Sequence, residues 1–507
     1  MPSETRHGST VARSNVALAA TCLSALMFGL EISSIPAILP TLEQVLHADF
    51  QQLQWIMNAY TIAVTSVLMA TGALADRYGR KRIFMIAVVA FGLTSLICGL
   101  AASAPVLITA RFLQGASGGA MLICQVAILS HQFQEGRQRA IAFGWWGIIF
   151  GIGLGFGPII GGAIVAAASW EWVFLIHVAL SVATLTLAMI GVRESKDPAA
   201  GMLDIAGIAT LSTCVFCLAF FITQGPEIGF TSPAGLAWIG ASMASLVAFL
   251  IVEKLSTRPM FDFSVFRIRT FSGAVVGSAA MNVSFWPFMI YLPIWFQAGL
   301  GYDSVSAGLS LLAYTLPTLV VPPLAERLAL RYRPGLVIPG GLITIGLGFF
   351  LMKLGSTAEA ASWLTMLPGA ALAGIGLGLT NTPVTNTTTG AVSSDRAGMA
   401  SGIDMSARMI SLAINIAMMG FLLASGVLSY LREALPGAEA RHLRLLAEKI
   451  AAGSTAAMPE LSATLVHGAL VQGFGWVLLY GGIGAWGLAA LSFAAFHTAA
   501  LRPVAAR

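Results

Sequence analysis

The sequence predicts an all-α membrane protein with fourteen transmembrane helices, arranged as two six-helix bundles plus two inserted helices. Three observations predict it. Of 507 residues, 57% are hydrophobic and only 10% charged, whereas soluble domains carry about 25% charged residues. The apolar residues come in runs of roughly 20 or more, the length that crosses a bilayer. The basic residues fall in the breaks between those runs. The 54 glycines agree with this, because helices in lipid approach one another through small residues rather than by hydrophobic exclusion.

The first run, 15–39, follows the polar start MPSETRHGSTVARS and exceeds a signal-peptide core, so it reads as an uncleaved span. Runs at 52–75, 82–102, 105–130, 140–166 and 173–192 complete an N-terminal bundle, 1–200. Runs at 204–224 and 233–252 form an inserted pair within 201–268. Runs at 271–296, 305–325, 335–354, 361–390, 399–428 and 465–498 form a C-terminal bundle, 269–507. Between the last two runs lies an external loop, 429–464, whose stretch LREALPGAEARHLRLLAEKI reads as an amphipathic helix, either a lid or a solvated spacer.

Charge placement orients these spans. With the N-terminus inside, 21 of the 27 basic residues fall on the cytoplasmic side, where positive charge is expected. Both termini are then cytoplasmic, and the chain is a multi-pass protein of the cytoplasmic (plasma or inner) membrane. Because the basic residues are spread among topogenic loops, the net charge of +5 does not signal nucleic acid. Cys22, Cys98, Cys124, Cys214 and Cys217 all lie in apolar stretches, giving neither a disulfide framework nor a zinc pattern. The C-x-x-C of Cys214 and Cys217 reads as two small residues on one helix face. No metal-ligand pair of histidines, nucleophile elbow or phosphate loop occurs in the connections, so no enzyme activity and no cofactor is expected.

An internal repeat is present. GALADRYGRKR from Gly72 follows span two, and PPLAERLALRY from Pro322 follows span ten. Asp76 aligns with Glu326 and Arg77 with Arg327, at an offset of 250 residues. Two halves related about an axis along the membrane normal, with a substrate path between them, is a transporter layout.

Several segments carry a family resemblance. The run GALADRYGRKR, with Gly72, Asp76, Arg77, Gly79 and Arg80, is similar to the conserved loop motif of the major facilitator superfamily. There a carboxylate pairs with guanidinium groups or caps a helix end, and such a contact can latch one face shut. LITARFLQG, with Arg111 and Gln114, resembles the family's membrane-embedded arginine motif. The resemblance implies that Arg111 assists proton transfer or orients a carboxylate; a snorkelling arginine near its helix start is the alternative. GWWGIIFGIGLGFGPIIGG resembles the antiporter signature of drug exporters, in which Gly157, Pro158 and Gly161 would give a flat, bendable helix for the other half to rock against.

FGLEISSIPAILP in span one is similar to the first-span motif of the fourteen-helix drug:proton antiporters, with Glu31 where aspartate is usual. Removing a carboxyl from water disfavours its charged form, so Glu31 could hold a proton and release it when water or a cation arrives. A carboxylate permanently paired with an arginine is the other reading. Further matches include Gln54, Trp55, SWEWVF from Ser169, LDIAG from Leu203, PMFDFSVFR from Pro259 and YLPIWFQ from Tyr291. The matches around spans seven to nine point to the fourteen-helix branch. His177 stands where the family often has asparagine, and either titrates or is a hydrogen-bonded interfacial group. Asp404 and Arg408 lie four apart on one helix face and read as an intrahelical pair at the cytoplasmic edge.

The resemblance implies a multidrug resistance efflux transporter: proton-coupled antiport of amphipathic or cationic drugs and biocides by alternating access. A specific metabolite exporter or a proton-coupled importer of the same fold is the alternative. Glu31 and Arg111 would couple protons. Gly72, Asp76, Arg77, Gly79, Arg80, Glu326, Arg327, Gly157, Pro158 and Gly161 would gate. By position, Phe28, Tyr60, Gln114, Trp286, Tyr291 and Arg408 would line a cavity. The partners implied are the lipid bilayer, a small-molecule substrate and protons, with an accessory periplasmic or outer-membrane component left open.

Overall fold

The computed structural model describes residues 3–48, 50–134, 136–197, 204–256, 263–302, 304–358, 361–453 and 462–497. Among them no strand occurs. In chain order the helices are α1 (Ser3–Leu46), α2 (Phe50–Tyr78), α3 (Arg80–Gly99), α4 (Ala104–Gln132), α5 (Gly136–Ala167), α6 (Glu171–Gly191), α7 (Ile205–Ile228), α8 (Pro233–Leu255) and α9 (Arg269–Val283). They continue as α10 (Phe285–Ile294), α11 (Ser304–Thr315), α12 (Pro317–Val320), α13 (Pro322–Tyr332), α14 (Pro334–Ser356), α15 (Trp363–Gly390), α16 (Ala397–Ala434), α17 (Ala440–Ala451) and α18 (Ala463–His497). Among the described residues thirteen helices are long and apolar enough to cross a membrane, or fourteen when the pair 306–320 and 322–332, bent by 44°, is counted as one span.

Proline accounts for the two departures from straight spans. The expected span 271–296 is divided at Ser284 (φ −126°, ψ −78°) into α9 and α10, and after Pro293 it loosens into a π-helical turn over Trp295–Gly299. Each proline removes a backbone donor and its ring crowds the preceding turn. The expected straight span 305–325 becomes α11, α12 and α13, with Pro317 and Pro322 at the two breaks. The amphipathic segment expected within 429–464 is α17, whose Leu443, Ala447 and Ile450 are buried. Residues 454–461 of that loop, and residues 259–262 and 203 of the quoted motifs, lie outside the described residues.

The chain forms two compact units, one of residues 1–275 with 385–410, the other of 276–384 with 411–507. In the first, α1 packs on α5 and α6, α4 on α2 and α3, and α7 on both α8 and α2. Its main core joins Phe28, Tyr60, Phe91, Phe143 and Trp146 to aliphatic residues of α4. Asp204 caps α7, accepting from Gly207 N at 2.7 Å, so the LDIAG motif works as a helix start. In the second unit α14 packs on α18. Its centre is aromatic: Phe285 stacks on Tyr314 at 4.0 Å, and Phe288 touches Tyr314, Phe349 and Phe474.

Each of the two loops of the repeat ends on a residue of positive φ, 254 positions apart rather than 250. Gly79 (φ 111°, ψ 129°) precedes α3 and Arg333 (φ 70°, ψ 145°) precedes α14. At Gly79 a side chain would meet both a strained φ and the Glu194 carboxylate, 2.6 Å from where its Cβ would stand.

Candidate functional site

The site begins with α1. Gly29 lets it approach α5 so closely that a Cβ there would lie 2.9 Å from Leu154 N. Ser33 Oγ fastens the contact, donating to Gly29 O and Gly153 O at 2.8 Å. Glu31, between these anchors, is fully buried. Charge inside lipid is expensive, so a partner is required. It comes from α4: Arg111 Nη1 donates to Glu31 Oε1 and, at 2.7 Å, to Gln114 Oε1. Arg111 Nε donates to Ile56 O at 3.0 Å, and the guanidinium lies over the Tyr60 ring, 4.3 Å from its centroid. Arg111 is 2% exposed, so it does not snorkel; its donors are spent inside the protein.

A second shell of contacts fixes this group. Gln114 Nε2 donates to Ser95 Oγ at 2.8 Å, and the Cys98 thiol points at Gln114 Oε1 from 3.6 Å. On the other side of the carboxylate, His177 Nδ1 lies 3.3 Å from Glu31 Oε2. That contact is a close approach rather than an aligned hydrogen bond, since Glu31 Oε2 has no hydrogen-bond partner among the described residues. Tyr60 OH is likewise buried without one. From Tyr60 an aromatic row runs through Phe28 and Phe150 to Trp146. Thus Glu31, Arg111, Tyr60, Gln114 and Phe28 form one cluster. Gln114 is consumed by Arg111 and Ser95 and offers no free amide to a cavity, and Phe28 is fully buried.

A second group lies at the end of the first unit that carries the basic loops. Asp76 pairs with Arg80, Nε and Nη2 donating to Oδ1 at 3.0 and 2.7 Å, whereas the Arg77 guanidinium lies over Tyr78. The same Asp76 carboxylate accepts from Gly398 N at 3.2 Å and Met399 N at 3.0 Å, capping α16. Gly72 and Gly398 permit the approach: a Cβ on Gly72 would be 2.8 Å from Gly398 O. The segment after α6 closes the group, with Glu194 accepting from Lys81 N and Arg82 N and Asp197 N donating to Asp76 O. In the second unit Glu326 is buried like Asp76, but Arg327 is exposed, so the two loops are not equivalent.

Two buried polar residues make contacts that the sequence pattern does not record. Arg139, counted in sequence as topogenic, is 7% exposed and donates to Ser130 O, Phe133 O, Asn386 Oδ1 and Thr389 Oγ1. No local sequence signal distinguishes it from exposed Arg137. Asp404 and Arg408 form the expected pair four residues apart on one helix; Asp404 is fully buried, and the two share Thr385 Oγ1, at 3.1 and 2.7 Å. Arg408 is therefore bound to Asp404 and Thr385.

The glycine-rich helix also reads differently. Gly153, Gly157 and Gly161 face Gly29, Ser33 and Ser34 of α1 inside the same unit, so this series serves close packing of α5 on α1. α5 runs unbroken through this region, and the side chain of Pro158 lies outside the described residues. In the second unit Trp286 is half-buried against Phe285, and Tyr291 donates to Ile416 O at 2.6 Å.

Membrane-length helices packed around buried, mutually neutralising charges define a polytopic membrane protein. The chain belongs to the major facilitator superfamily, whose profile matches residues 21–416. It is 30% identical over 430 residues to Multidrug resistance protein Stp of Mycobacterium tuberculosis (strain CDC 1551 / Oshkosh), covering 84% of this chain and 80% of that protein. It is 29% identical over 418 residues to the Tetracenomycin C resistance and export protein of Streptomyces glaucescens, covering 81% and 76%. Among solved structures, the human organic anion transporter MFSD10 superposes with a TM-score of 0.59 at 13% identity, covering 96% of this chain and 99% of that one. The proton:xylose symporter XylE gives 0.58 at 14% identity, covering 89% and 96%. At these identities the structural likeness concerns the fold.

Proposed function

We propose that this transporter exports amphipathic or cationic drugs and biocides in exchange for protons, with both termini on the cytoplasmic side of the plasma membrane. The observation that carries the reading is the buried Glu31–Arg111 pair, in which one carboxylate oxygen is bound to arginine and the other is left without a hydrogen bond. A proton on Oε2 satisfies that atom and removes the negative charge. A cationic substrate nearby favours the ionised form by Coulomb attraction. The two ligands therefore exclude each other at one carboxyl, which is the requirement for exchange. Exchange of one proton for one monovalent cation moves no net charge, so the pH gradient drives it: one pH unit supplies about 1.4 kcal/mol, enough for roughly tenfold accumulation.

Resistance and export in the names of Stp and the tetracenomycin protein support the cargo class. The gating role falls to Asp76, whose cap on α16 must break before that end of the protein can open. Everted vesicles energised to an acidic lumen test the reading. Adding ethidium or a quaternary ammonium biocide is expected to raise lumenal pH in wild type and not in Glu31→Gln. Alkalinisation by one metabolite alone would favour a specific exporter, and none by any compound would remove the exchange mechanism.

A further inference from the structure

His177 on α6 is 1% exposed and stands on the free side of the Glu31 carboxylate. Every polar atom facing its ring nitrogens is an acceptor. Nδ1 lies 3.1 Å from Val173 O and 3.3 Å from Glu31 Oε2, and Nε2 lies 3.2 Å from Met27 O. Carbonyl oxygens cannot donate, and a neutral imidazole carries one N–H. A neutral ring therefore turns one lone pair against an oxygen lone pair, whereas the imidazolium donates on both sides. A fixed imidazolium would, however, add charge to a buried group in which Arg111 already balances Glu31. The surroundings thus call for two protons on the ring when the carboxylate is ionised and no cation is present, and for one when a cation arrives.

We infer that His177 is a second proton-binding group of the exchange site, taking up the exchanged proton at Nδ1 beside Glu31 Oε2. The inference rests on the proton-exchange reading above. The transfer is balanced: the Oε2–H bond of protonated Glu31 breaks as the Nδ1–H bond forms, leaving a carboxylate and an imidazolium, and the reverse step returns the proton. The charged group in contact with the ring is Glu31 from α1; behind it stand Arg111 from α4 on the same carboxylate, Tyr60 from α2 under that guanidinium, and Cys98 from α3 on Gln114. Phe91 of α3 meets the ring edge-on at 5.7 Å and supplies no charge. An approaching cationic substrate repels the imidazolium, so cargo loading and proton loss are joined at this ring as well as at the carboxyl.

The test uses the purified full chain in proteoliposomes, with ethidium efflux followed across a range of external pH. Wild type must respond to the pH gradient. If it does not, the exchange reading falls, and the role of His177 falls with it. Given that response, His177→Asn and His177→Gln are expected to keep gradient-driven efflux but to need more acid. Their alkaline limb should retreat to lower pH, because the Glu31 carboxyl alone must then hold the exchanged proton. A profile superimposable on wild type would overturn the inference while leaving the exchange reading intact. Should neither variant fold, 15N-histidine spectra of the wild-type chain decide. A buried ring doubly protonated at neutral pH that loses a proton on adding ethidium supports it, and seven histidines that all stay indifferent to ethidium between about pH 5 and 8 refute it.

Discussion

Asp76 and Met399, more than three hundred residues apart in sequence, meet where the Asp76 carboxylate accepts the Met399 N–H at 3.0 Å and closes the amino end of α16. The same carboxylate neutralises buried Arg80. Removing its charge weakens a helix cap, worth about 0.5–2 kcal/mol, and takes a carboxylate away from buried Arg80. Asp76→Asn should therefore loosen the contact of α16 with α4, where Ser401 Oγ lies 3.5 Å from Ile123 O. Buried Cys124, next in sequence, reports the loosening. In a chain retaining Cys124 alone, N-ethylmaleimide should react about tenfold faster after Asp76→Asn, the equivalent of roughly 1.4 kcal/mol. An unchanged rate would deny the cap its latching role.

The α1–α5 contact predicts a graded response to small side chains. A Cβ at Gly153 would stand 2.8 Å from Leu26 O and 3.0 Å from Gly29 Cα, both backbone atoms that cannot swing aside, while Gly162 has open space around it. Gly153→Ala should cost about 1–3 kcal/mol of stability through overpacking. Gly162→Ala should stay within about 0.5 kcal/mol. Thermal unfolding in detergent separates the two, and equal midpoints would contradict the packing described.

Arg139 makes its contacts with the geometry of a fork: Nη1 serves Ser130 and Phe133, and Nη2 and Nε serve Thr389 and Asn386. A lysine keeps the charge and loses that geometry. Arg139→Lys should lower initial efflux about tenfold at equal expression, a loss of roughly 1.4 kcal/mol, whereas Arg137→Lys at an exposed position should leave it unchanged. Transport rates measured side by side check this, and parity of the two variants would make Arg139 merely topogenic.

How far the sequence disclosed this molecule depended on the range of each interaction. Spans were legible because hydrophobicity accumulates over about 20 residues. The capping role of Asp76 was half legible, because the motif showed a carboxylate but not the α16 backbone it meets. Glu31 and Arg111 were legible as charges out of place in lipid. His177 as their neighbour was not, since nothing in Glu171–Gly191 records which carbonyls and carboxylates surround its ring. Arg139 was missed for the same reason: its partners Asn386 and Thr389 are 247 and 250 residues away. The breaks near Ser284 and Pro317 were written in prolines, yet an apolar run alone reads as straight.

Glu31 must be required for coupling and dispensable for the passage of substrate. Purified protein in proteoliposomes separates these, by measuring ethidium exchange at equal pH on both sides and ethidium accumulation under an imposed pH gradient. Glu31→Gln should retain the exchange and lose gradient-driven accumulation. Accumulation equal to wild type in that variant would contradict the account.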